Sequence, residues 1–326
     1  MTTKEQVLSQ LAAQKGEYIS GEQLAQELSL SRNAIWRAIE ALRADGWQIS
    51  AITNRGYMLK GNPYLIDAKE LISLMPNGKK FLIETHKTVT STNNMLKNDA
   101  EQGAPEGKII IASEQTGGKG RMGRAFYSPL GTGVYTSILL RPTFSPSESL
   151  YITTAAAVAC AEAIEAVSNK KPKIKWVNDI YIDDKKVCGI LTEAAFDLEQ
   201  NRLRYAVMGI GINLIEPDGG YPADIAQVAY PVFDRKDYTT QKRDDLLAQF
   251  ITRFWGYYEN LTAKLFLRGY QERSYLDGKD INVIGKVNRQ GKALGVDDQF
   301  RLRVLYPDGT EELLQSGEVS VKPIKK

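Results

Sequence analysis

Between Ser113 and Phe126 the chain reads Ser-Glu-Gln-Thr-Gly-Gly-Lys-Gly-Arg-Met-Gly-Arg-Ala-Phe. Four glycines and three cations share the eight positions from Gly117 to Arg124. Glycine lets a backbone turn through positive φ and approach a ligand closely. Successive free backbone N–H groups form a concave nest for an anion. Lys119, Arg121 and Arg124 bring the charge a phosphate or carboxylate needs, and arginine can bind either bidentately. Two familiar nucleotide loops do not fit. Gly118 to Gly123 spells G-x-G-x-x-G, but the dinucleotide loop needs a helix directly after it and an acid about 20 residues on. Here Ser128-Pro129-Leu130-Gly131 breaks the chain and no acid stands near residue 143. The Walker loop needs Gly-Lys-Ser or Gly-Lys-Thr, and neither occurs. A solvated basic loop is the plain alternative, and the loop's companions decide between them.

The elements that would position this loop alternate between strands and helices. Lys108-Ile109-Ile110-Ile111-Ala112 predicts a buried strand, so the loop leaves a strand end, where open α/β sheets place ligands. A helix near Asp67–Leu74 and a strand, Phe81 to Glu84, precede it. Ser91-Thr92-Asn93 then opens a helix. Ser91 or Thr92 can cap it, and the same hydroxyls and amide can hold a neutral polar ligand group. Gly131 to Leu140 predicts a strand, followed by a long Ala-rich helix from about Ser147 to Val167. Lys173 to Ile182 predicts two short strands around the polar cluster Lys175-Trp176-Val177-Asn178-Asp179. Lys185 to Glu193 follows directly. On their own, Asn178-Asp179 would be a turn and Lys186 an exposed strand-edge lysine. Tyr205 to Leu214 predicts a buried strand with glycines at alternate positions, so something packs against its bare face. Two helices, Arg243–Tyr258 and Lys264–Tyr275, read as cover for a sheet.

The first 62 residues have a different pattern. Val7, Leu8 and Leu11 share a helix face. Ser20 and Gln23 have the spacing of a capping box. A short turn leads to Ser31, which caps a second helix running to about Ala44. Its outer face holds Arg32, Asn33, Trp36, Arg37 and Arg43, donors suited to phosphates and base edges. Trp36 could equally serve the core. Trp47 to Ile52 and Gly56 to Leu59 predict two strands with Arg55 at the tip of a wing. This is helix–turn–helix plus wing, resembling a bacterial DNA-binding module. Seven Lys/Arg face six Asp/Glu over these residues, so the case for DNA rests on the charge of the docking face.

From residue 273 onward, Asp280 to Ile284, Gly291 to Val296, Phe300 to Leu305 and Glu311 to Leu314 predict short strands, with a hairpin turn at Pro307-Asp308-Gly309. They suggest a small SH3-like barrel. Length (326 residues), 43% apolar and 25% charged composition fit a multidomain globular protein. The net charge of +3 is too small to argue for nucleic acid by itself. No apolar run is long enough to span a bilayer, and the polar start, Met1 to Gln6, has no signal-peptide core. With one histidine and two cysteines, Cys160 and Cys188 in apolar contexts, zinc is excluded and a disulfide is not expected. These features point to the cytoplasm.

The polar segments occur in a fixed order. Ser91-Thr92-Asn93 comes first, then Glu114-Gln115-Thr116 with Gly118-Lys119-Gly120-Arg121-Met122-Gly123-Arg124. Lys175 to Asp179, Lys186 to Leu191 and Gly209-Ile210-Gly211-Ile212-Asn213 follow. This series resembles the biotin–protein ligase family, and with the N-terminal module it is similar to the bifunctional ligases that also repress the biotin operon. The resemblance covers essentially the whole chain. It departs in three places: Lys119 replaces an arginine, Val177 a proline, and Phe126 the usual tryptophan. No charge that the chemistry needs is lost.

The resemblance implies an α+β chain in three parts. A winged helix-turn-helix would occupy residues 1–62, a class II synthetase-like ligase domain with a mixed sheet residues 63–272, and the SH3-like domain residues 273–326. It implies that biotin's carboxylate attacks the α-phosphate of ATP, with Mg2+, to give biotinyl-5′-AMP and pyrophosphate. A lysine of a biotin carboxyl carrier domain, on acetyl-CoA carboxylase or another biotin-dependent carboxylase, then displaces AMP. Ser91, Thr92, Asn93 and Gln115 would hold the ureido ring. Lys119, Gly120, Arg121, Lys186, Gly189, Gly209 and Gly211 would complete the biotin site, the Gly209–Asn213 strand giving it an apolar wall. Gly118, Lys119, Gly120, Arg121, Arg124, Phe126, Asn178 and Asn213 would bind ATP or the adenylate. Lys186, Arg121 and Asp179 would be catalytic, Asp179 orienting Mg2+ or the incoming lysine, with no dedicated metal site. Ser31, Arg32, Asn33, Trp36, Arg37 and Arg55 would meet operator DNA as part of a homodimer loaded with adenylate. Two other functions use the same residues: a biotin sensor without turnover, and a lipoate-type ligase.

Overall fold

The computed structural model describes residues 1–14, 16–143, 149–197, 202–284, 288–315 and 320–323. Two compact units emerge, Met1–Ile66 and Asp67–Lys326.

In the first unit, α1 (Thr3–Ala13), α2 (Gly21–Glu27) and α3 (Arg32–Ala44) precede a two-stranded antiparallel wing of β1 (Gln48–Ile52) and β2 (Gly56–Gly61). Val7, Leu11, Leu24, Ile35, Ile39 and Leu42 form one buried cluster, as their helical spacing predicts. Thr2 and Glu5 make a full capping box on α1. Ser20 makes only half of the expected one: its Oγ accepts from Gln23 N, while the Gln23 amide donates to Glu27 instead.

The second unit is built on a seven-stranded mixed sheet. Its strands are β3 (Leu82–Val89), β4 (Lys108–Gln115), β5 (Gly133–Leu140), β6 (Lys173–Lys175), β7 (Asp179–Ile182), β8 (Lys185–Asp197) and β9 (Arg202–Asn213). The spatial order is β3-β4-β5-β9-β8-β7-β6. Only β3 and β4 run parallel; every other pair is antiparallel. After the short α4 (Ala68–Ser73), α5 (Thr92–Glu101) packs on one face of the sheet. The opposite face is covered by α6 (Ser149–Ser168), with α7 (Thr240–Tyr258) packed against it.

The expected start of α6 at Ser147 lies outside the described residues. By length and composition α6 could cross a membrane, contrary to the expectation of no such run. Two-thirds (67%) of that apolar window is buried inside the protein, so its apolarity is accounted for by the core. Cys160 on α6 and Cys188 on β8 are buried free thiols, 3.7 Å apart at sulfur. Burial and the neighbouring Cys160 push the Cys188 thiol well up, which makes it an inert core group. The helix expected over 264–275 shrinks to α8 (Leu267–Glu272), because Lys264 adopts a left-handed φ of 50° that ends the preceding turn.

Five strands close the chain: β10 (Asp280–Ile284), β11 (Arg289–Val296), β12 (Leu302–Leu305), β13 (Glu311–Leu314) and β14 (Ser320–Pro323). They form an antiparallel sheet in the order β13-β12-β11-β10-β14. Among the described residues no ladder joins β13 to β14. Phe300 is not part of β12. It sits fully buried at φ 58°, stacked on Phe266 at 5.3 Å, and its carbonyl accepts from Trp176 Nε1 at 2.8 Å. This plug ties the small sheet to the larger one.

Candidate functional site

The loop and the strand ends converge on one cavity of about 180 Å3. Its wall contains Ser91, Thr92, Asn93, Gln115, Lys119, Gly120, Arg121, Arg124, Phe126, Asn178, Asp179, Lys186, Gly189, Gly209 and Gly211. Gly118 and Asn213 are not in it. Gly118 lies at the base of the loop, where a Cβ would meet Phe126 O at 2.5 Å. The Asn213 amide turns to the carbonyl of Tyr230 at 3.4 Å.

The polar end is built at the start of α5. Ser91 is the N-cap, its Oγ accepting from Asn94 N. Gln115 Oε1, at the end of β4, accepts from Thr92 N at 2.9 Å and is 3.1 Å from Thr92 Oγ1. Gln115 Nε2 donates to Ser128 Oγ, which donates on to Phe126 O. Asn93 is locked on all sides. Its Oδ1 accepts from Ser137 Oγ at 2.6 Å, and its Nδ2 donates to Glu193 Oε2 at 2.8 Å. Burial alone would raise the Glu193 carboxyl, but hydrogen bonds from Lys97 and Asn93 hold it below its usual range.

The charged end lies between the loop and the β7–β8 hairpin. Lys186 Nζ is 2.7 Å from Asp179 Oδ1, an ion pair by distance but outside hydrogen-bond geometry, with both side chains partly exposed. Arg121 Nη1 donates to Asn178 Oδ1 at 3.1 Å, while Asn178 Nδ2 donates to Ile190 O at 2.7 Å. Lys119 Nζ donates to Asn94 Oδ1 at 3.0 Å. The loop is pinned across its neck by Gly120 N to Arg124 O at 2.7 Å. At its tip Met122 takes φ 55° and is 75% exposed. The Trp176–Val177 peptide is cis.

The glycine strand lines the cavity through Gly209, Ile210 and Gly211, but its two glycines are not bare. A Cβ on Gly209 would strike the Asn93 amide, and one on Gly211 the Phe126 ring at 2.5 Å. Both glycines lie on one face of β9, and protein side chains already occupy it beside each of them. Lys186 Nζ sits 5.7 Å from the Phe126 centroid. Apolar lining comes from Phe126, Trp176, Ile190, Leu191 and, on β9 itself, Ile210 beside Gly209 and Gly211. Ser137 and Glu193 were missed from the sequence. The available signals were a pair of hydroxyls, Thr136-Ser137, in a wholly buried strand, and an acid ending an apolar run.

On α3, Ser31 caps the helix by accepting from Ala34 N at 3.2 Å. Arg32, Asn33 and Arg37 are exposed, and Trp36 is 53% exposed, which removes it from the core. Arg43 leaves the docking face, contrary to expectation: its guanidinium donates to Ile49 O and pairs with Glu40, bracing the wing. Arg55 projects from the wing near the Tyr18 ring.

Comparison with known proteins agrees with this geometry. Residues 85–213 match the biotin/lipoate A/B protein ligase family, and residues 3–58 match an HTH domain. The chain is similar to the bifunctional ligase/repressor BirA of Bacillus subtilis, 31% identical over 94% of this chain and 95% of that protein. The Escherichia coli protein of the same name is 27% identical over 95% of each. Among solved structures, biotin protein ligase from Aquifex aeolicus in complex with biotin and ATP superposes with TM-score 0.60 and 26% identity, covering 74% of this chain and 99% of that one.

Proposed function

Because the chain belongs to the bifunctional ligase/repressor family, we infer that it is a biotin–protein ligase that also represses transcription. It forms biotinyl-5′-AMP from biotin and ATP and transfers biotin to a lysine of a biotin carboxyl carrier domain. The observation that carries this reading is the meeting of two opposite chemistries in one cavity. One end offers neutral hydroxyls and an amide at Ser91, Thr92 and Gln115, and the other offers Lys186, Arg121 and Arg124.

Each residue then has a role. Thr92 and Gln115 hold the ureido ring of biotin, leaving its carboxylate directed at the cationic end. A carboxylate oxygen attacks the α-phosphorus, and the bond to the bridging oxygen breaks, releasing pyrophosphate. Both reactants are anions, so fixed positive charge and positioning supply most of the catalysis. Lys186 stands beside the junction and stabilises the added negative charge on the phosphoryl oxygens. Gly189 makes room for it, since a Cβ there would come within 3.0 Å of Lys186 Nζ. Arg121, oriented by Asn178, and Arg124 bind the phosphate or the carboxylate, and Phe126 offers a flat face to the nucleotide. In the second step the carrier lysine attacks the acyl carbon, AMP leaves, and Asp179 is placed to take the amine's proton. Among the described residues no three acidic or imidazole groups cluster to hold a metal. Mg2+ would be carried by the ATP phosphates, with Asp179, a carboxylate in the cavity wall, beside it, and would neutralise phosphate charge.

Operator DNA is met by α3 and Arg55, in a homodimer favoured when the cavity holds adenylate, and the protein acts in the cytoplasm. Incubation with ATP, Mg2+, biotin and a carrier domain, scored by carrier mass, tests the ligase. A gain of one biotin is expected. Biotin binding without transfer would mean a sensor, and no biotin binding would favour a lipoate-type ligand. Lys186→Ala should slow adenylate formation by about 10²-fold or more; near-normal turnover refutes its role.

A further inference from the structure

Lys186 stands where β8 is least supported by its sheet neighbours. The ladder with β9 ends at the Cys188–Ile212 pair, two residues short of Lys186. On the other side, β7 sets Ile180 against Cys188 and Tyr181 against Lys186, so Val187 is an extra residue and β8 bulges there. A bulge disrupts the ladder and re-aims the side chains next to it. Residues 222–232 fill the gap. They begin with a helical turn, in which Ala226 N donates to Pro222 O and Ala229 N to Ile225 O, both at 2.8 Å. They then run parallel to β8: Lys186 N donates to Val228 O at 2.6 Å, and Tyr230 N donates to Lys186 O at 2.9 Å. The segment leaves beside the end of β9, where Val232 N donates to Asn213 O at 2.9 Å and Val232 and Phe233 are buried. Its middle is gripped through the Tyr230 ring. Lys170 Nζ lies 5.3 Å and Lys185 Nζ 5.6 Å from the ring centroid, both within the reach of about 6 Å for cation–π attraction. Lys185 and Lys186 are successive residues of one strand and point to opposite faces. Lys185 thus holds the ring on one side of β8, while Lys186 faces the cavity beside Asp179.

We propose that Tyr230 is a positioning residue for adenylate formation: its ring, clasped by Lys170 and Lys185, seats the backbone of residues 228–230 on Lys186 and so fixes the Lys186 ammonium beside the reacting phosphate. The inference rests on the reading that Lys186 stabilises the charge of that step. Tyr230 is not in the cavity wall and acts through the strand segment it holds.

The test is biotin-dependent exchange of pyrophosphate into ATP by the full-length protein with Mg2+, which reads the first step alone. Tyr230→Ala should lower kcat about 10-fold or more, the effect of a displaced catalytic group. KM for biotin should stay within about 2-fold, because ground-state binding is untouched. Tyr230→Phe keeps the ring and should stay within about 2-fold of wild type in kcat. In a Lys186→Ala background, Tyr230→Ala should cost no more than about 2-fold further, since the group it positions is already gone. A merely structural role would move biotin binding as well and would multiply with Lys186→Ala; either result overturns the assignment. So does a loss confined to KM for ATP, which would give the segment to the nucleotide alone, or a Tyr230→Phe protein as impaired as Tyr230→Ala. Lys186→Ala that exchanges as fast as wild type overturns the reading of Lys186 itself, and this inference with it. Should Tyr230→Ala not fold, Tyr230→Leu, which keeps apolar bulk without the aromatic face, is measured in its place: a lowered kcat supports the assignment and a wild-type kcat overturns it.

Discussion

Gly209 faces Asn93 closely enough that one methyl group should disturb both stability and biotin binding. An alanine Cβ at this position would stand 2.0 Å from Asn93 Oδ1 and 2.8 Å from its Cγ. The amide cannot simply swing aside, because Ser137 and Glu193 hold its two ends. Nor can β9 retreat freely, because Gly209 is the direct ladder partner of Ser137 on one side and Leu191 on the other. Expelling the amide gives up one neutral hydrogen bond and one to a carboxylate, together about 2–4 kcal/mol. Shifting the strands instead costs about 1–3 kcal/mol of overpacking. The cheaper route sets the outcome, so Gly209→Ala should lose about 1–3 kcal/mol, or about 2–12 °C in Tm for a unit of this size. Biotin affinity should fall about 10-fold or more, because Thr92 moves with Asn93. Gly211→Ala is the internal comparison. Its Cβ meets the Phe126 ring at 2.5 Å, but that ring is only partly buried and stands on a loop rather than a strand, so it can turn away and the loss in Tm should be smaller. The assays are thermal melts by circular dichroism and calorimetric titration with biotin. A Gly209→Ala protein that melts within about 2 °C of wild type and binds biotin equally well would refute the reasoning.

Three further outcomes follow from other parts of the chain. Gly256 lies inside α7 with open space where a Cβ would go, so Gly256→Ala should stabilise by about 0.4–1 kcal/mol, seen as a higher denaturation midpoint; a lower one would show that the face is occupied. Glu193 has a depressed pKa despite its partial burial, owing to Lys97 and Asn93, so the stability it contributes is present above the ordinary carboxylate range and lost as pH falls through its own lower value. The gap in Tm between wild type and Glu193→Gln should therefore be open at neutral pH and close below about pH 4; a gap that stays constant into strong acid would contradict this. Arg32→Ala with Arg37→Ala should weaken binding to promoter DNA and flatten its salt dependence by about two units of slope if both meet phosphates. Anisotropy titrations at several salt concentrations give that slope, with carrier biotinylation checking the same preparation, and unchanged DNA affinity would displace α3 as the docking helix.

The parts legible in the sequence are those whose signal is local. The apolar spacing of α1 to α3, the buried strands β4, β5 and β9, and the cationic glycine loop all carry their own period or composition. The order of polar segments located most of the cavity wall. Partnerships made across the fold were not legible. Arg43 has the position of a DNA contact, yet the carbonyl of Ile49 takes its guanidinium. Asn213 ends a motif, yet it turns to Tyr230. Lys264 sits in a helical pattern, yet it adopts φ 50°.

The glycines show why such partnerships lie beyond a sequence pattern. Alternate glycines predict that something fills a bare face, and the face is indeed filled, but register decides by what. Across β5, β9 and β8 one ladder row is Ser137–Gly209–Leu191, and the next on the same face is Tyr135–Gly211–Gly189. Asn93 rests on the first row and Phe126 on the second. Successive strand residues point to opposite faces, so a shift of one residue between β5 and β9 would carry Gly209 and Gly211 away from Ser137 and Tyr135 and remove both seats together. The polar end and the aromatic face of the cavity are therefore set by one strand register, which no single motif in the chain encodes.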